Sequence, residues 1–382
     1  MFIRIKLSIL LIYCLTSFTA FGQKQIRGHL KTRDSIEFSI INVLPDSFPT
    51  ISIIFKGHKV NGDPLWNLKK EDFKVSENGE DSNVKSLSPI SRNKPINIGI
   101  VIDHSGSMLE DPSLLYDKNG NELFSYDTNT FELVLPNDYV APIDNGKATT
   151  KDFANSFNFK KDFISIIGFS STVDKILPLT NNKEKIDSVI NSMEADSLTA
   201  LYDAMLTGLN QLNTRNGVNV LVALTDGQNN KSKSTWNDVT KKAIILDIPI
   251  YIIGLGNVNK DTLQMIADGT NGQFIYTETS KSFSDIYTRI SKEIQSFYDL
   301  RYESRNLSAI ESKRNLTITF LPNDTKSDTL NYRFELPDEV IAYLKNKSKR
   351  TNYIIGTSVV SAVALTTGTI LFRRRRRKNA SR

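Results

Sequence analysis

The sequence predicts an α/β unit placed within a β-rich one, with an apolar segment near each end of the chain. Three observations support this fold class in the 382 residues. From Pro95 onward, short β-branched runs alternate with segments of 3.6-residue apolar periodicity, the pattern of a sheet covered by helices. On both sides of that block only strand-like runs occur. Residues 1–22 and 353–372 are apolar segments next to cationic residues, which is typical of export and membrane insertion.

The α/β unit is predicted to span 95–297. Five short β-branched runs predict its buried strands: Ile96–Ile102, Phe163–Phe169, Val218–Leu224, Ile250–Leu255 and Gln273–Tyr276. The segments between them carry apolar stripes at helical spacing and predict helices: Thr149–Phe157, Ile186–Met193, Leu201–Leu212, Trp236–Leu246 and Phe283–Phe297. We assign these stripes to the core of the unit and give them no other role.

The flanks of this unit contain further predicted strands. They are Glu37–Val43, Thr50–Phe55, Asp72–Ser76 and Val84–Leu87 before it, and Leu300–Ser304, Leu316–Phe320 and Tyr332–Leu336 after it. Seven strands are about one small sandwich. We therefore predict that 23–94 and 298–344 form one β-sandwich into which the α/β unit is inserted. Two independent β-rich pieces are the alternative.

The N-terminus has the layout of a secretory signal peptide. Arg4 and Lys6 precede an apolar run to Phe21, and small residues stand at Ala20 and Gly22, three and one residues before Gln23, which favours cleavage after Gly22. We predict that 1–22 are removed on export. An uncleaved anchor helix is the alternative, but the run is short for a bilayer core of ~30 Å.

The C-terminus predicts a single membrane helix. Residues 353–372 carry no charge and are long enough to span a bilayer, and the cationic run Arg373–Lys378 follows at once. With 345–352 as a linker and 373–382 as a cytoplasmic tail, the body of the chain would lie in the periplasm or outside the cell. The alternative is a buried helix with a nucleic-acid-binding tail.

Charge and cysteine content exclude several classes of function. The net charge of +6 comes from nine basic residues in the two end segments, and without them 39 basic residues stand against 42 acidic ones. The body is therefore not a nucleic-acid-binding surface. Cys14 is the only cysteine of the chain and lies in the predicted signal peptide, and with three histidines it provides no zinc site.

Polar residues that follow two strands and precede one helix form a pattern that indicates a metal site. Asp103, Ser105 and Ser107 follow the first predicted strand, Thr199 precedes a helix, and Asp226 follows the third strand. The carboxyl ends of parallel strands meet at one edge of a sheet, where α/β folds bind ligands. Hydroxyl and carboxylate oxygens suit Mg²⁺, Mn²⁺ or Ca²⁺. Taken singly, each residue has a plainer role as a helix cap or turn.

This pattern resembles the metal-ion-dependent adhesion site of von Willebrand factor type A (VWA) domains. The stretches Ala200–Ala204, Leu224–Asn230, Ile248–Gly256 and Ile266–Gly272 are also similar, and the flanks resemble those of bacterial membrane-anchored envelope members. The resemblance implies a Rossmann-like fold with an intact site at which an acidic residue of a partner completes the coordination of Mg²⁺ or a similar cation. It also implies a shift of the last helix, 281–297, on ligand binding.

The chain departs from the family pattern after the first loop of the site. About 40 residues, 109–148, intervene before the helical pattern resumes, and they contain eight acidic residues against two lysines. One hypothesis is that this insert covers the site, with one of its carboxylates at the metal until a partner displaces it. The alternative is a surface excursion with a hairpin at Asn119–Gly120.

Together these features predict an exported, membrane-anchored binding or adhesion protein that docks an acidic protein partner through a cation. The alternative is an accessory subunit of a bacterial envelope complex that works with a ring-forming ATPase, and a homodimer through the membrane helix is a further alternative. We do not expect an enzyme. His104 is the histidine nearest the site, and its side chain alternates away from Asp103 and Ser105. Common hydrolase and phosphate-binding motifs are absent from the sequence.

Overall fold

The computed structural model describes residues 29–31, 36–59, 63–90, 94–116, 119–128, 133–137, 139–308, 312–321 and 328–346. The predicted signal peptide, membrane helix and basic tail lie outside these residues and stay predictions. Within the described part of the chain, no helix has both the length and the apolar character needed to cross a bilayer.

The described strands are numbered in chain order. They are β1 (His29–Lys31), β2 (Ile36–Ser47), β3 (Thr50–Lys59), β4 (Phe73–Glu77), β5 (Glu80–Pro89), β6 (Ile96–Asp103), β7 (Ser125–Tyr126), β8 (Leu133–Val134), β9 (Phe163–Phe169), β10 (Val173–Thr180), β11 (Val218–Thr225), β12 (Ile250–Leu255), β13 (Gln273–Thr277), β14 (Tyr298–Glu303), β15 (Lys313–Phe320) and β16 (Asp328–Glu335).

The helices are α1 (Pro112–Leu115), α2 (Pro142–Asn155), α3 (Lys183–Asn191), α4 (Leu201–Leu212), α5 (Trp236–Ile245), α6 (Lys260–Gly269) and α7 (Phe283–Gln295), and 338–346 are also helical. Side-chain caps fix several of their starts. Asn182 and Asn259 accept backbone N–H groups at the starts of α3 and α6, and Thr235 forms a capping box with Asp238 at α5.

The α/β unit is built on a six-stranded sheet of order β10-β9-β6-β11-β12-β13. Five strands are parallel, and β10 pairs antiparallel with β9 at the edge. The chain adds strands on one side of β6 and then on the other. The crevice at the carboxyl ends of β6 and β11 is therefore the switch point at which such sheets bind ligands.

Helices cover both faces of this sheet. Even-numbered residues of β6 and β11 pack with α2, α3 and α7, whereas odd-numbered residues of the two strands pack with α4, α5 and α6. Strands buried on both faces need continuous apolar runs. Such runs at Ile96–Ile102 and Val218–Leu224 made these two strands predictable from the sequence. The fold is α/β, as predicted.

The strands before and after the α/β unit share a second sheet, of order β1-β2-β3-β14-β5-β4-β15-β16. β5 pairs with β14 through Asn83–Pro89 and with β4 through Glu80–Ser82, so the sheet turns at β5. Its two parts enclose one core with an aromatic centre made by Phe38, Phe55, Phe73, Tyr298 and Phe320. Strands from both sides of the α/β unit therefore share one sheet and one core.

The two units pack directly on each other at the amino edge of the parallel sheet. Ile41 and Ile54 of the β unit belong to the same buried cluster as α7. Lys56 of β3 forms an ion pair of 2.7 Å with Glu293 of α7, and the Tyr251 hydroxyl donates to the same carboxylate oxygen at 2.8 Å. The carboxyl edge, at the opposite end of the sheet, is left for loops.

Three elements differ from the sequence expectation. Helix α2 begins at Pro142, so the insert ends at 141 rather than 148, because Pro142 occupies the first helical turn and Gly146 packs against Leu224. The half-exposed edge strand β10 was not predicted. The segment 338–346 is a helix that packs on the β core through Leu344. This helix crosses the predicted boundary between the β-rich part, which ends at 344, and the linker 345–352.

Candidate metal centre

Asp103 is the last residue of β6 and is fully buried. Its Oδ1 accepts the backbone N–H of Ser105 at 2.9 Å, and its Oδ2 accepts the Thr225 hydroxyl at 2.6 Å. The register of β6 and β11 explains the second contact, because Leu224 pairs with Ile102 and the next residues along each strand are therefore neighbours. The strand ends thus fix the orientation of this carboxylate.

Two serines connect the first loop to the third. Ser105 Oγ lies 3.2 Å from Ser107 Oγ, and the Ser107 hydroxyl donates to Asp226 Oδ1 at 2.8 Å. Ser105 is buried, whereas Ser107 lies in the 3₁₀ turn Gly106–Leu109 and is exposed. The two hydroxyls therefore lead from the interior of the sheet edge to its surface.

Thr199 joins the same cluster from the second loop. A Cβ placed on Gly227 would lie 2.8 Å from Thr199 Oγ1 and 3.6 Å from Ser107 Oγ, so both hydroxyls converge on this glycine. Thr199 is held from the third loop, because its N–H donates to Asn230 Oδ1 at 3.0 Å and its carbonyl accepts the Asn230 N–H at 3.1 Å. The structure thus brings all five predicted residues to one edge of the sheet.

The electrostatics of this cluster favour a cation. Burial, and second the nearby charge of Asp103, raise the pKa of Asp226 to about 8. Burial also raises the pKa of Asp103, although the hydrogen bonds from Ser105 and Thr225 oppose this. The described side-chain contacts of the two carboxylates are hydrogen bonds from hydroxyl and amide groups. Two buried carboxylates side by side are costly when they are ionised, and a bound cation would remove that cost.

The donors fit a hard cation that accepts hydroxyl ligands. Within the described part of the chain, no three His, Cys, Asp or Glu side chains cluster in a way that could hold a metal. The two carboxylates would therefore need the hydroxyls of Ser105, Ser107 and Thr199 to complete an oxygen site, which suits Mg²⁺, Mn²⁺ or Ca²⁺. That these five residues bind a cation stays a prediction.

Sequence reasoning missed two residues that hold the site together. Thr225 orients Asp103, and Asn230 holds Thr199. The signal for Thr225 was present, since a hydroxyl residue at the end of a strand beside β6 must lie next to Asp103. Nothing in the sequence indicated that the Asn230 side chain would reach back across the loop.

His104 takes no part in the cluster. Its Nδ1 lies 2.7 Å from the carbonyl oxygen of Glu194, and its Nε2 lies 2.8 Å from Asp174 Oδ1. The ring is buried, and the backbone carbonyl of His104 accepts the N–H of Asp196 at 2.9 Å. Both ring nitrogens are engaged by groups outside the site, so the histidine fixes the loop.

The insert leaves from the metal loop, and one of its acidic residues is used elsewhere. Asp111 is fully buried, and its Oδ2 accepts the N–H of Ser280 at 2.9 Å, at the loop that leads into α7. Its Oδ1 accepts the N–H of Ser113 at 3.1 Å. Asp111 therefore clamps the insert to the α7 loop, and the hypothesis of a carboxylate covering the metal does not apply to it.

Comparison with known families identifies the α/β unit. Residues 141–289 match the family model of the von Willebrand factor type A domain. The α/β unit contains a VWA domain. The matched range includes Thr199 and Asp226 but begins after the insert, so Asp103, Ser105 and Ser107 lie before it. A comparison with curated proteins gave no match.

Solved structures with a similar fold come from different sources. One is proximal thread matrix protein 1 from the mussel byssus with a zinc-occupied MIDAS motif (20% identity, TM-score 0.43, 58% of this chain and 50% of that one). Another is BatB from Bacteroides thetaiotaomicron (16% identity, TM-score 0.38, 52% of this chain and 98% of that one). A third is the vWF domain of the type V pili tip protein Mfa5 from Porphyromonas gingivalis (11% identity, TM-score 0.38, 53% of this chain and 95% of that one). This chain thus covers half of the mussel protein.

Proposed function

We propose that this VWA domain is a cation-dependent docking module. A divalent cation of the Mg²⁺ type is held by Asp103, Ser105, Ser107, Thr199 and Asp226, and it binds a carboxylate of a protein partner. The observation that carries this proposal is the pair of buried carboxylates whose described hydrogen-bond partners are hydroxyl and amide groups. Such a pair is stabilised by a cation from outside the chain.

The ligand set explains why the ion would bind a partner. Three neutral hydroxyls leave more positive charge on an ion than a set of carboxylates would, and Ser107 opens the site to solvent. An ion that keeps its charge at an exposed edge attracts an anionic ligand. A carboxylate of a protein partner supplies such a ligand with a hard oxygen.

Binding rather than catalysis is the function that the surroundings support. The nearest histidine is engaged by Asp174 and the carbonyl oxygen of Glu194. A metal-assisted hydrolase needs a base beside the ion, and His104 does not fill that role. We therefore propose a non-enzymatic adhesion-type protein.

The architecture supports an outward-facing site. Helix 338–346, from which the chain would continue to the predicted membrane helix, packs on the β unit through Leu344. The β unit lies at the amino edge of the parallel sheet, whereas Asp103 and Asp226 lie at the carboxyl edge. In an exported protein with a C-terminal anchor, this arrangement would present the site away from the membrane.

Calorimetric titration of the full chain with MgCl₂ tests the cation. Wild type should bind one ion, and at 100 times the dissociation constant its free energy of unfolding should rise by about 2.7 kcal/mol. Asp226→Ala and Asp103→Ala should lose this binding and remain folded, because both residues lie at strand ends. Asp261→Ala makes the same change at an exposed position of α6 and should bind as wild type does. Unchanged affinity in Asp226→Ala would refute the site.

The same variants test the partner. Crosslinked capture from native membranes is done with wild type and Asp103→Ala, each with and without chelator. A protein captured only by wild type with cation supports docking through the metal. The same proteins in all four samples would contradict it and favour the accessory-subunit alternative, in which other surfaces make the contacts.

A further inference from the structure

The described part of the insert, called here the platform, is attached beside the metal loop. The Tyr139 hydroxyl donates to the carbonyl oxygen of Leu109 at 2.6 Å and accepts the N–H of Asp111 at 3.1 Å. Asp111 is in turn bonded to Ser280 at the start of the last helix. These contacts tie Tyr139 to Leu109 and Asp111, which stand two and four residues after Ser107. The base of the insert is therefore held beside the metal loop.

This platform displays aromatic side chains to solvent. Tyr116, Phe124 and Tyr126 form a row, called here the aromatic ridge, with centroid distances of 5.7 and 6.0 Å between successive rings. Tyr116 and Tyr126 are 41% and 61% exposed. Leu123 beside them is also exposed. Exposed tyrosines on a rigid support are typical of protein-binding surfaces, because they bury much area at little entropic cost.

Exposed apolar and acidic residues stand beside the ridge and beside the site loops along the chain, and Glu122 forms a β-bridge with Tyr116 of the ridge. Leu109 and Leu198 are exposed and stand next to the site loops of Ser107 and Thr199. Glu110 and Glu122 are exposed on the insert. A partner with many acidic residues would be repelled here. Charge complementarity favours a segment with one carboxylate for the ion and a basic residue near it.

The distance from the metal loop to the ridge suits one extended segment. Between Ser107 and Tyr116 the chain includes the four-residue helix α1. At about 1.5 Å per helical residue and about 3.3 Å per extended residue, the path is at most about 22 Å. A strand of about seven residues covers the same length.

We propose that the aromatic ridge is a second contact surface for the partner that binds the cation. The partner segment carries a carboxylate for the ion, an aromatic or aliphatic side chain within about seven residues of it, and a Lys or Arg that faces Glu110 and Glu122. The inference rests on the proposed function, and it names the chemistry that would select the partner.

A peptide set tests this with the full chain in MgCl₂. Each synthetic peptide has a single Asp, a Phe one to seven residues away on either side, and an adjacent Lys, with the remaining positions Gly and Ser. Matched peptides replace Phe by Ser, Lys by Glu, or Asp by Asn. For at least one spacing, the Phe and Lys peptide should bind about tenfold more tightly than the Ser or the Glu version, as loss of one interface anchor predicts.

Variants of the ridge decide the outcome. The double variant Tyr116→Ser, Tyr126→Ser should lose the preference for Phe and keep its Mg²⁺ affinity, and the double variant Glu110→Lys, Glu122→Lys should prefer Glu over Lys in the peptide. Tyr343→Ser, in the helix 338–346 and 55% exposed, and Glu80→Lys, exposed on the β unit, are the matched controls and should behave as wild type.

The failures of the two proposals are distinguishable. Binding that depends on Mg²⁺ and on the peptide Asp, but shows no Phe or Lys preference or keeps it in the ridge variants, overturns the ridge alone. Binding that chelator or the Asn peptide does not reduce overturns docking through the metal. If no peptide binds, the ridge inference is overturned, and Mg²⁺ titration of the same sample then reports on the metal site.

Discussion

The β unit and the carboxyl edge of the α/β sheet both bury acidic side chains, but they balance the charge differently. In the β unit, Glu77 and Arg314 are almost fully buried and form an ion pair of 3.0 Å. Arg314 also donates to the carbonyl oxygens of Asn306 and Ser308 at 3.1 and 2.7 Å. At the sheet edge, Asp103 and Asp226 receive hydrogen bonds from hydroxyl and amide groups.

The junction between the units follows the β unit in this respect. Burial raises the pKa of Glu293, but the Lys56 ammonium at 2.7 Å, the Tyr251 hydroxyl and the charge of His58 together outweigh it, so the pKa lies below its usual value. At the sheet edge the balance is opposite, and the pKa of Asp226 is raised to about 8. Where the fold only needs stability, the chain supplies its own counter-charge. Where the chain supplies no counter-charge, as at Asp103 and Asp226, the buried carboxylates indicate a ligand from outside.

The largest expected effect separates these two kinds of site. Arg314→Leu leaves Glu77 buried without its partner and should lower the free energy of unfolding by about 3–5 kcal/mol, as measured by urea denaturation. Lys74→Leu breaks the exposed pair with Asp81 on the same unit and should cost less than about 1 kcal/mol. The Mg²⁺ affinity of folded Arg314→Leu should equal that of wild type. If Arg314→Leu lowers the free energy of unfolding as little as Lys74→Leu does, Glu77 does not depend on Arg314 for its counter-charge.

The next effect is a pH dependence of the cation-free protein. The folded-state pKa of Asp226 lies above its unfolded value, so between about pH 4 and 8 the folded state binds more protons than the unfolded state. Stability should therefore fall as pH rises through this range, by about 2–4 kcal/mol between pH 5 and 8 in chelator. Saturating Mg²⁺ should remove most of this fall, because the ion stabilises the ionised carboxylates.

Asp226→Asn isolates that effect. The pKa of His58 is lowered, first by burial and then by the charge of Lys56, so His58 acts in the opposite direction and gives stability that is lost as pH falls below about 6.5. Because Asp226→Asn keeps His58, the difference between the two proteins at each pH reports on Asp226. If the free energy of unfolding in chelator has the same pH dependence in wild type and Asp226→Asn, the charge of Asp226 does not destabilise the cation-free fold.

The site was more accessible to sequence reasoning than its surroundings because its geometry follows from strand order. Asp103 and Asp226 end buried parallel strands, which are readable as continuous apolar runs, and such ends meet at one edge. Strand β10 lacks that signal, since it contains Pro178, has two register shifts against β9 and is only half-buried on one face. The start of α2 was hidden by Gly146, which resembles a helix breaker and is a packing residue.

The contacts of the insert were beyond sequence reasoning for a different reason. Its acidic composition suggested solvent or metal as the partner of every carboxylate. The burial of Asp111 depends on a backbone N–H of Ser280, 169 positions along the chain. Backbone donors leave no mark in a sequence, so neither the clamp nor the resulting position of the ridge could be predicted.

The smallest effect tests how closely the hydroxyls must approach. Gly227→Ala would place a Cβ 2.8 Å from Thr199 Oγ1, which must then move. Mg²⁺ affinity should fall about tenfold, equal to about 1.4 kcal/mol, while the stability of the cation-free protein changes by less than about 1 kcal/mol. Gly106→Ala is the matched change in the first loop, where the nearest atoms are 3.7 Å from the added Cβ, and it should bind as wild type does. If both variants bind Mg²⁺ equally well, Thr199 does not contribute its hydroxyl, and the ion depends on the first loop and Asp226 alone.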